Sequence, residues 1–251
     1  MAASTQPEFL TRADAPPASA PAPSLYVAPL PAEPSPFARY KSRFLRSAIA
    51  HAIPATVLVT RGKRAGKRVA ITFDDGPDRM TPEYLDVCDR LGLRATFFLI
   101  GANVASSNGA MLEYVRRGHE VAGHGYTHTP FPKLAPAVLV DELTHTSDVL
   151  AASASSRPFV RPPTGRVTPA SVLRVAAAGY TTVLWSLDSD DCRTRDPRVV
   201  EDRVAPSHVR GGEIVLMHEL QPWTLEALPR IVGRLRDAGF ELCTVGELLG
   251  Y

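Results

Sequence analysis

The sequence is short of cysteine and of long apolar runs. Its 251 residues include three cysteines, Cys88, Cys192 and Cys243, an odd number without the close spacing of a disulfide framework or a four-thiolate zinc site. The most apolar segment, residues 49–59, is much shorter than the roughly 20 apolar residues that cross a bilayer. These shortages predict no structural disulfide, no thiolate zinc site and no membrane span.

An excess of charge of one sign is also missing. The 28 Lys and Arg residues nearly balance the 26 Asp and Glu residues, so the sequence predicts no nucleic-acid partner. The N-terminus lacks a basic start followed by an apolar run, and so it does not have the pattern of a secretory signal. We accordingly favour a cytoplasmic location and expect a monomer.

Proline, alanine and serine dominate the N-terminal region. Residues 15–36 consist largely of these types, which bury too little apolar surface to offset the entropy of ordering the chain. The remaining length suffices for one large core. The composition therefore predicts a disordered tail over residues 1–37 and a single folded domain over residues 38–251.

From residue 69 onward, short apolar runs alternate with helical patterns, an order typical of α/β proteins with a parallel sheet. Seven runs are predicted to be strands: Val69–Phe73, Ala95–Ile100, His119–Ala122, Phe159–Arg161, Tyr180–Trp185, Glu213–Met217 and Phe240–Cys243. The turn after the first strand has no glycine-rich dinucleotide fingerprint. The pattern therefore favours a distorted (β/α) barrel of about seven parallel strands over an open doubly wound sheet.

Two helix starts are visible in this region. Thr81-Pro82 and Thr168-Pro169 each combine a threonine that caps a helix with a proline at the first helical position. Four glycines are predicted to end helices: Gly92, Gly118, Gly179 and Gly239.

Chemically active side chains follow several of the predicted strands, at the edge where the active sites of (β/α) barrels lie. They are Asp74, Asp75, His124, His128, Arg161, the acidic stretch from Asp188 to Asp191, and His218. These residues belong to five separate segments of the chain, and folding alone gives little reason for five segments to carry such side chains to one edge. We therefore take this edge as the candidate active site.

Asp74 and Asp75 are adjacent carboxylates followed by a Gly-Pro turn. At the end of a strand both can reach the mouth of the barrel, where one can bind a cation while the other accepts a proton. Taken alone, the pair can equally be a solvated turn in which an aspartate caps the local backbone.

His124 and His128 are four residues apart, a spacing that turns both rings to one side in a helical turn or an extended segment. Two neutral imidazoles and one carboxylate form a common zinc site with an open position. Two surface or capping histidines would have the same spacing, so the motif alone leaves both interpretations open.

Arg161 and His218 complete the candidate set. An arginine can hold a carboxylate in a bidentate pair, and a histidine can serve as a general acid near neutral pH. A surface ion pair for Arg161 and a structural role for His218 agree equally well with the sequence. The other four histidines are predicted to be structural or solvated: His51, His119, His145 and His208.

Together, these motifs resemble those of the polysaccharide deacetylases, the NodB-homology domain of carbohydrate esterase family 4, over roughly residues 57–249. The segment Thr-Phe-Asp-Asp-Gly-Pro at residues 72–77 is similar to the family's first motif, and residues 123–129 are similar to its second. The resemblance implies a NodB-type barrel and a catalytic domain that acts on an N-acetylated carbohydrate.

By this resemblance, Asp75, His124 and His128 are the ligands of a divalent metal, Zn²⁺ or another ion such as Co²⁺. The resemblance also implies that Asp74 is the general base and that Arg161 steadies it.

Further roles follow from the same resemblance. His218 is the catalytic acid, Asp191 orients it, and Leu216 lines the acetyl pocket. The sequence departs from the family pattern at Thr164, where a tyrosine is usual, and at Cys192, where a tryptophan is usual. The Thr164 N–H can still serve an oxyanion, but both changes alter the predicted substrate groove.

The predicted reaction is the metal-dependent removal of acetyl from an N-acetylated amino sugar in a chitin-like, peptidoglycan or smaller N-acetylglucosamine substrate. Trp185 is expected to supply part of the missing substrate surface, with a core tryptophan as the alternative. Two other functions are considered: a cytosolic enzyme acting on a small N-acyl or O-acetyl compound, and a non-catalytic glycan-binding domain. A non-catalytic domain would be expected to lack the general base, a metal ligand or the catalytic acid, and the sequence retains all of them.

Overall fold

The computed structural model describes residue 54 and residues 56–107, 109–151 and 158–251. The predicted tail over residues 1–37 lies outside these residues, and so does the predicted domain boundary at residue 38. All three cysteines are free. Within the described ranges, no helix combines the length and the apolar character needed to cross a bilayer.

The described part of the chain alternates between short strands and helices. Its strands are β1 (Leu58–Val59), β2 (Arg68–Asp74), β3 (Thr96–Leu99), β4 (Glu120–Gly123), β5 (Phe159–Val160), β6 (Thr181–Val183), β7 (Leu187–Asp188), β8 (Ile214–His218) and β9 (Glu241–Cys243). Its α-helices are α1 (Thr81–Leu91), α2 (Gly101–Ser106), α3 (Ala110–Arg116), α4 (Pro136–Val149), α5 (Pro169–Ala177), α6 (Pro197–Arg203), α7 (Pro222–Asp237) and α8 (Val245–Leu249). Two 3₁₀ turns lie at Phe131–Lys133 and Pro163–Gly165.

All seven predicted strands are present, most of them shorter than the apolar runs that predicted them. Sequence reasoning missed β1 and β7, because two residues are too few to show an alternation of apolar and polar side chains.

The strands form one curled, parallel sheet in the order β1-β6-β5-β4-β3-β2-β8-β7, and β9 pairs with the first half of β2. The chain from residue 181 to residue 188 supplies β6 near one end of this order and β7 at the other. Between them, Ser186 N–H donates to the Ile214 carbonyl at 3.1 Å. This segment bends the sheet round into the distorted (β/α) barrel that the sequence predicts.

Alternation along β2 directs one set of side chains outward and the other inward. Val69, Ile71 and Phe73 belong to the largest core cluster, together with side chains of α1 and α7. Ala70 packs in a separate cluster among residues of neighbouring strands. Asp74 shares the face of Ala70, so the strand carries its last carboxylate to the inner mouth of the barrel.

The helix ends agree with the predictions except at α1. Thr168 caps α5, as predicted, in a reciprocal pair of hydrogen bonds with Ser171. The predicted cap at Thr81 is wrong by one residue, because Met80 is the N-cap and Thr81 is already helical. The Thr81 hydroxyl instead donates to Glu219 Oε1 at 2.9 Å. The predicted helix-ending glycines all have positive φ: Gly92, Gly118, Gly179 and Gly239.

Candidate active site

Three ligand-type side chains converge where β2 and β4 end. Asp75 Oδ1 lies 3.4 Å from His124 Nε2 and 3.1 Å from His128 Nε2. One ligand atom from each residue lies within 4.8 Å of the other two. The structure therefore brings the three predicted metal ligands into one group, which we call the ligand triad.

The donor atoms of the triad fit a small divalent cation. Asp75 Oδ1 is buried and has no hydrogen-bond partner among the described residues. A tetrahedral ion that binds nitrogen and oxygen at about 2.0–2.1 Å separates its ligands by about 3.4 Å, close to the spacing found here. Burial alone raises the pKa of Asp75, but the facing imidazoles of His124 and His128 lower it well below its usual value. The triad thus combines an anionic oxygen with two imidazole nitrogens, the donor set of many zinc sites.

The tautomer of His124 suits this arrangement. His124 Nδ1 lies 2.8 Å from the carbonyl oxygen of Arg161, so Nδ1 carries the hydrogen and donates it. When the ring is neutral, Nε2 then keeps the lone pair that a metal ligand needs. Such an outer contact orients an imidazole ligand before a metal binds.

Two members of the triad have left-handed backbone conformations, with φ of 77° at Asp75 and 58° at His128. Such conformations cost about 1–3 kcal/mol at non-glycine residues and persist only where the surroundings hold them. Asn103 Nδ2 donates to the Asp75 carbonyl at 3.1 Å and is one of the contacts that hold this turn.

The sequence predicted that a helical turn or an extended segment brings the two histidines together, and this prediction is wrong. Residues 124–128 form neither a helical turn nor a strand, and Gly125 has a φ of 76°. The buried carboxylate of Glu142, on α4, holds this loop instead. Glu142 Oε2 accepts the N–H groups of Tyr126 at 2.6 Å and Thr127 at 2.9 Å, and Oε1 accepts the Thr127 hydroxyl at 2.6 Å. Sequence reasoning missed Glu142, since a lone carboxylate in a helix gives no local signal.

Glu142→Gln should weaken Zn²⁺ binding by about 10–100-fold, the usual cost of losing an outer contact to a metal ligand. The amide keeps one acceptor oxygen but loses the negative charge, so its hydrogen bonds to the loop N–H groups are weaker and the loop carrying His128 loosens. Competition with a chromophoric chelator measures the affinity. Glu226→Gln, on the exposed face of α7, is the matched control. Unchanged affinity in folded Glu142→Gln would contradict this role.

Asp74 lies beside the triad and is bound to Arg161. Arg161 Nη1 donates to Asp74 Oδ1 at 2.6 Å and to Thr72 Oγ1 at 2.8 Å. Asp74 Oδ2 lies 3.7 Å from His124 Nε2. One oxygen of this buried carboxylate is therefore paired with the guanidinium, and the other faces the triad.

Arg161 is completely buried, so the alternative of a surface ion pair is wrong. Its guanidinium lies over the Phe98 ring at 3.9 Å and donates to the carbonyls of Val183 and Leu184 at 3.4 and 3.3 Å. Burial lowers the pKa of Arg161, and Asp74 opposes that shift. Each member of the pair compensates the buried charge of the other.

His218 and Asp191 form a second pair at the same edge. His218 is aligned with Asp74 in the register of β8 and β2. Its Nδ1 donates to Asp191 Oδ1 at 2.8 Å, while Asp191 Oδ2 accepts the His218 N–H at 2.7 Å and the Thr224 hydroxyl at 2.9 Å. Burial lowers the pKa of His218, but the adjacent Asp191 carboxylate outweighs it and raises the pKa well above its usual value.

The predicted substrate contacts lie around these pairs. Leu216 is buried two residues before the end of β8, on the same side of the strand as its last residue. Thr164 is exposed in the turn after Arg161, with a φ of 62°. Trp185 is half-buried, packs against two core clusters and covers Gly165, where a Cβ would overlap its ring. Trp185 therefore packs against the core, as the alternative interpretation of this residue predicted.

The other described histidines belong neither to the triad nor to the group around His218. His119 is buried, accepts the Ala95 N–H at 3.3 Å, and has its pKa lowered to about 4 by burial. His145 and His208 are exposed. These three agree with the prediction, while His51 lies outside the described residues.

Glu219 is a second buried carboxyl that sequence reasoning missed, although it directly follows His218. Its Oε1 accepts hydrogen bonds from the hydroxyls of Thr81 and Tyr114 at 2.9 and 3.0 Å. Burial raises its pKa to about 8. A Cβ on Gly76 would overlap Glu219 Oε2, which explains the glycine at the turn after Asp75.

Comparison with known proteins then decides the family. The family model described as Polysaccharide deacetylase matches residues 61–183. A chitooligosaccharide deacetylase from Bradyrhizobium sp. (strain ANU 289) is 34% identical over 206 residues, which cover 74% of this chain and 93% of the relative. This chain belongs to the polysaccharide deacetylase family.

Other members of the polysaccharide deacetylase family differ in length and in activity. A peptidoglycan-N-acetylglucosamine deacetylase from Listeria monocytogenes serotype 1/2a (strain 10403S) is 30% identical over 202 residues, covering 79% of this chain and 42% of the relative. The chain therefore spans about two fifths of that protein. A solved CE4 family pseudoenzyme from Bacillus anthracis has a TM-score of 0.71 and 27% identity, covering 79% of this chain and 70% of that chain. Since a pseudoenzyme shares the fold, activity must be argued from the site.

Proposed function

We propose that this polysaccharide deacetylase family member is a metal-dependent N-deacetylase, which hydrolyses the acetamide of an N-acetylated amino sugar to a free amine and acetate. The observation that carries the proposal is the convergence of the triad with Asp74 and His218 at one edge of the barrel. In this proposal Asp75, His124 and His128 hold Zn²⁺ or a similar ion such as Co²⁺.

The first half of the proposed reaction depends on Asp74. When bound, the metal supplies a Lewis acid that polarises the acetyl carbonyl and makes water easier to deprotonate. Asp74 takes one proton from the attacking water through the oxygen that Arg161 leaves free. The remaining hydroxide adds to the carbonyl carbon, and the Thr164 N–H is proposed to stabilise the resulting oxyanion.

The second half depends on His218. As the carbon–nitrogen bond breaks, His218 gives a proton to the departing amine, and acetate remains. Asp191 accepts the hydrogen of Nδ1, so the transferred proton is the one on Nε2. Leu216 and Trp185 are proposed to contact the acetyl group and the sugar.

The names of the relatives support the substrate class. The Bradyrhizobium relative is named for chitooligosaccharides, and the Listeria relative for the N-acetylglucosamine of peptidoglycan. Both names describe N-acetylated amino sugars. We therefore propose an N-acetylglucosamine unit as the group on which this chain acts.

An acetate-release assay tests the function. The panel contains chitooligosaccharides, peptidoglycan fragments, small N-acetylated glycosides and an O-acetyl ester, each with chelator and with Zn²⁺ or Co²⁺ added back. We expect chelator-sensitive acetate release from at least one N-acetylglucosamine oligomer. Release from small compounds alone would favour the small-molecule enzyme, and binding without release from any substrate would favour a non-catalytic glycan-binding domain.

Asp191→Asn should move the alkaline limb of the pH profile of kcat/KM to lower pH. Protonated His218 is the proposed acid, so activity persists below its pKa and is lost as the pH rises through it. Removing the carboxylate that raises this pKa should move the alkaline limb of the profile down by about 1–3 pH units. Asp237→Asn, an exposed position at the end of α7, should leave the profile unchanged. An unshifted limb in Asp191→Asn would contradict the assignment of His218 as the acid.

A further inference from the structure

Cys192 lies against the imidazole of His218. Its Sγ is 3.0 Å from His218 Nδ1, the same nitrogen that lies 2.8 Å from Asp191 Oδ1. Cys192 and His218 are partly exposed, whereas Cys88 and Cys243 are buried in the core. A partly exposed cysteine therefore meets an imidazole and a carboxylate at one point.

His218 Nδ1 cannot satisfy both neighbours. If Nδ1 carries a hydrogen, Asp191 Oδ1 accepts it, and the sulfur of Cys192 faces a donor that is already used. If Nδ1 carries none, the thiol can donate to it, but the Asp191 carboxylate then faces a lone pair. One of these two contacts is thus unsatisfied whether or not Nδ1 carries a hydrogen.

A bound cation resolves this conflict, because the nitrogen, the oxygen and the sulfur can each offer it a lone pair. The nitrogen, oxygen and sulfur lie within 4.8 Å of one another. Zinc binds such atoms at about 2.0–2.3 Å, and a mixed set of cysteine, histidine and carboxylate ligands is ordinary for it. Within the described ranges, this cluster and the triad are the two groups of three ligand-type residues with this spacing.

We propose that Asp191, Cys192 and His218 form a second metal site, which binds a thiophilic divalent cation such as Zn²⁺ and thereby inhibits the enzyme. On binding, the Cys192 thiol and His218 Nδ1 each release a proton to solvent, and one Asp191 oxygen completes the protein ligands. The partly exposed side leaves a position for water. Burial raises the pKa of the Cys192 thiol, so the sulfur keeps its proton until a cation displaces it.

Occupation of this site removes the contact that prepares His218 for proton donation. With a cation on Nδ1 and with Asp191 engaged, His218 can no longer carry two ring hydrogens. The metal that activates the enzyme at the triad would therefore inhibit it in excess. Binding at the second site is independent of the proposed function, whereas the inhibition rests on it.

Titration of the full chain with Co²⁺ tests the binding, because a thiolate ligand gives a charge-transfer absorption band that nitrogen and oxygen ligands do not. We expect two bound ions and the band in the wild-type chain. Cys192→Ser should lose the band and keep one ion, while Cys243→Ser, which removes a buried thiol elsewhere, should keep both. His128→Ala should keep the band, since it alters the triad alone. A wild-type chain without the band, or a band that survives in Cys192→Ser, would overturn the site.

Acetate release at increasing Zn²⁺ tests the inhibition separately. We expect activity to rise and then fall by about 10²–10⁴-fold, the usual contribution of a general acid. Cys192→Ser should hold its own maximum at the same excess of Zn²⁺. A thiolate band without this fall would refute the inhibition and leave the site standing. A band without acetate release at any Zn²⁺ concentration would refute the proposed function instead.

Discussion

Asp74→Asn should lower kcat for acetate release by about 10²–10⁴-fold while leaving Zn²⁺ bound, because asparagine has the shape of aspartate but cannot accept the proton of the attacking water. Its amide oxygen can still accept the hydrogen bond that Arg161 donates at 2.6 Å. The triad is untouched by the change. Steady-state kinetics together with a Zn²⁺ affinity measurement separate the two effects.

The same substitution removes the counter-charge of a completely buried arginine. Breaking a buried pair of this kind costs about 3–5 kcal/mol of unfolding free energy, so the folded fraction must be measured by circular dichroism alongside the kinetics. Asp86→Asn is the matched control, because Asp86 pairs with Arg117 on an exposed surface. A folded, metal-loaded Asp74→Asn variant with wild-type kcat would refute the role of Asp74 as the base.

His128→Ala should weaken Zn²⁺ binding by more than the roughly 10–100-fold that loss of an outer contact costs, because it removes a donor atom itself. Acetate release should fall to background at metal concentrations that saturate the wild type. We choose His128 because its side chain is 36% exposed, whereas His124 is buried within the barrel mouth. The substitution thus leaves little empty space in the core.

The control for this variant is His208→Ala, which removes an exposed imidazole far along the chain. It should bind Zn²⁺ and release acetate like the wild type. Chelation of the wild-type chain should reproduce the loss seen in His128→Ala, and added Zn²⁺ or Co²⁺ should restore activity in the wild type alone. Tight Zn²⁺ binding and full activity in His128→Ala would contradict the triad.

Local sequence patterns were sufficient to predict the strands that carry the site residues. Each of the seven predicted strands contains apolar residues that favour burial, so the local pattern itself carries the information. The same reasoning placed Asp75 and His124 near strand ends, and each directly follows an observed strand, β2 and β4 respectively. β1 and β7 escaped prediction, since hydrogen bonds to β6 and β8 make them strands rather than any pattern of their own.

Residue types indicated the chemistry of the site, but they did not indicate the contacts that surrounding residues make with it. Glu142 holds the loop of His128 from a helix that begins eight residues further along the chain. Cys192 becomes a possible ligand only because β8 places His218 beside it. Glu142 has no neighbour in sequence that would reveal its partners, and Cys192 has one in Asp191, whose pairing with His218 the family resemblance implied.

By itself, then, the order of residues determined the class of fold, seven of the strands and the ligand types, because these depend on side chains close together in the chain. The tertiary structure decided which carboxylates are buried and what each of them contacts. Arg161 shows the difference, since its sequence context allowed a surface ion pair and the folded barrel encloses it completely. Burial of a charged side chain and long-range pairing arise when distant segments pack together, and no local pattern encodes them.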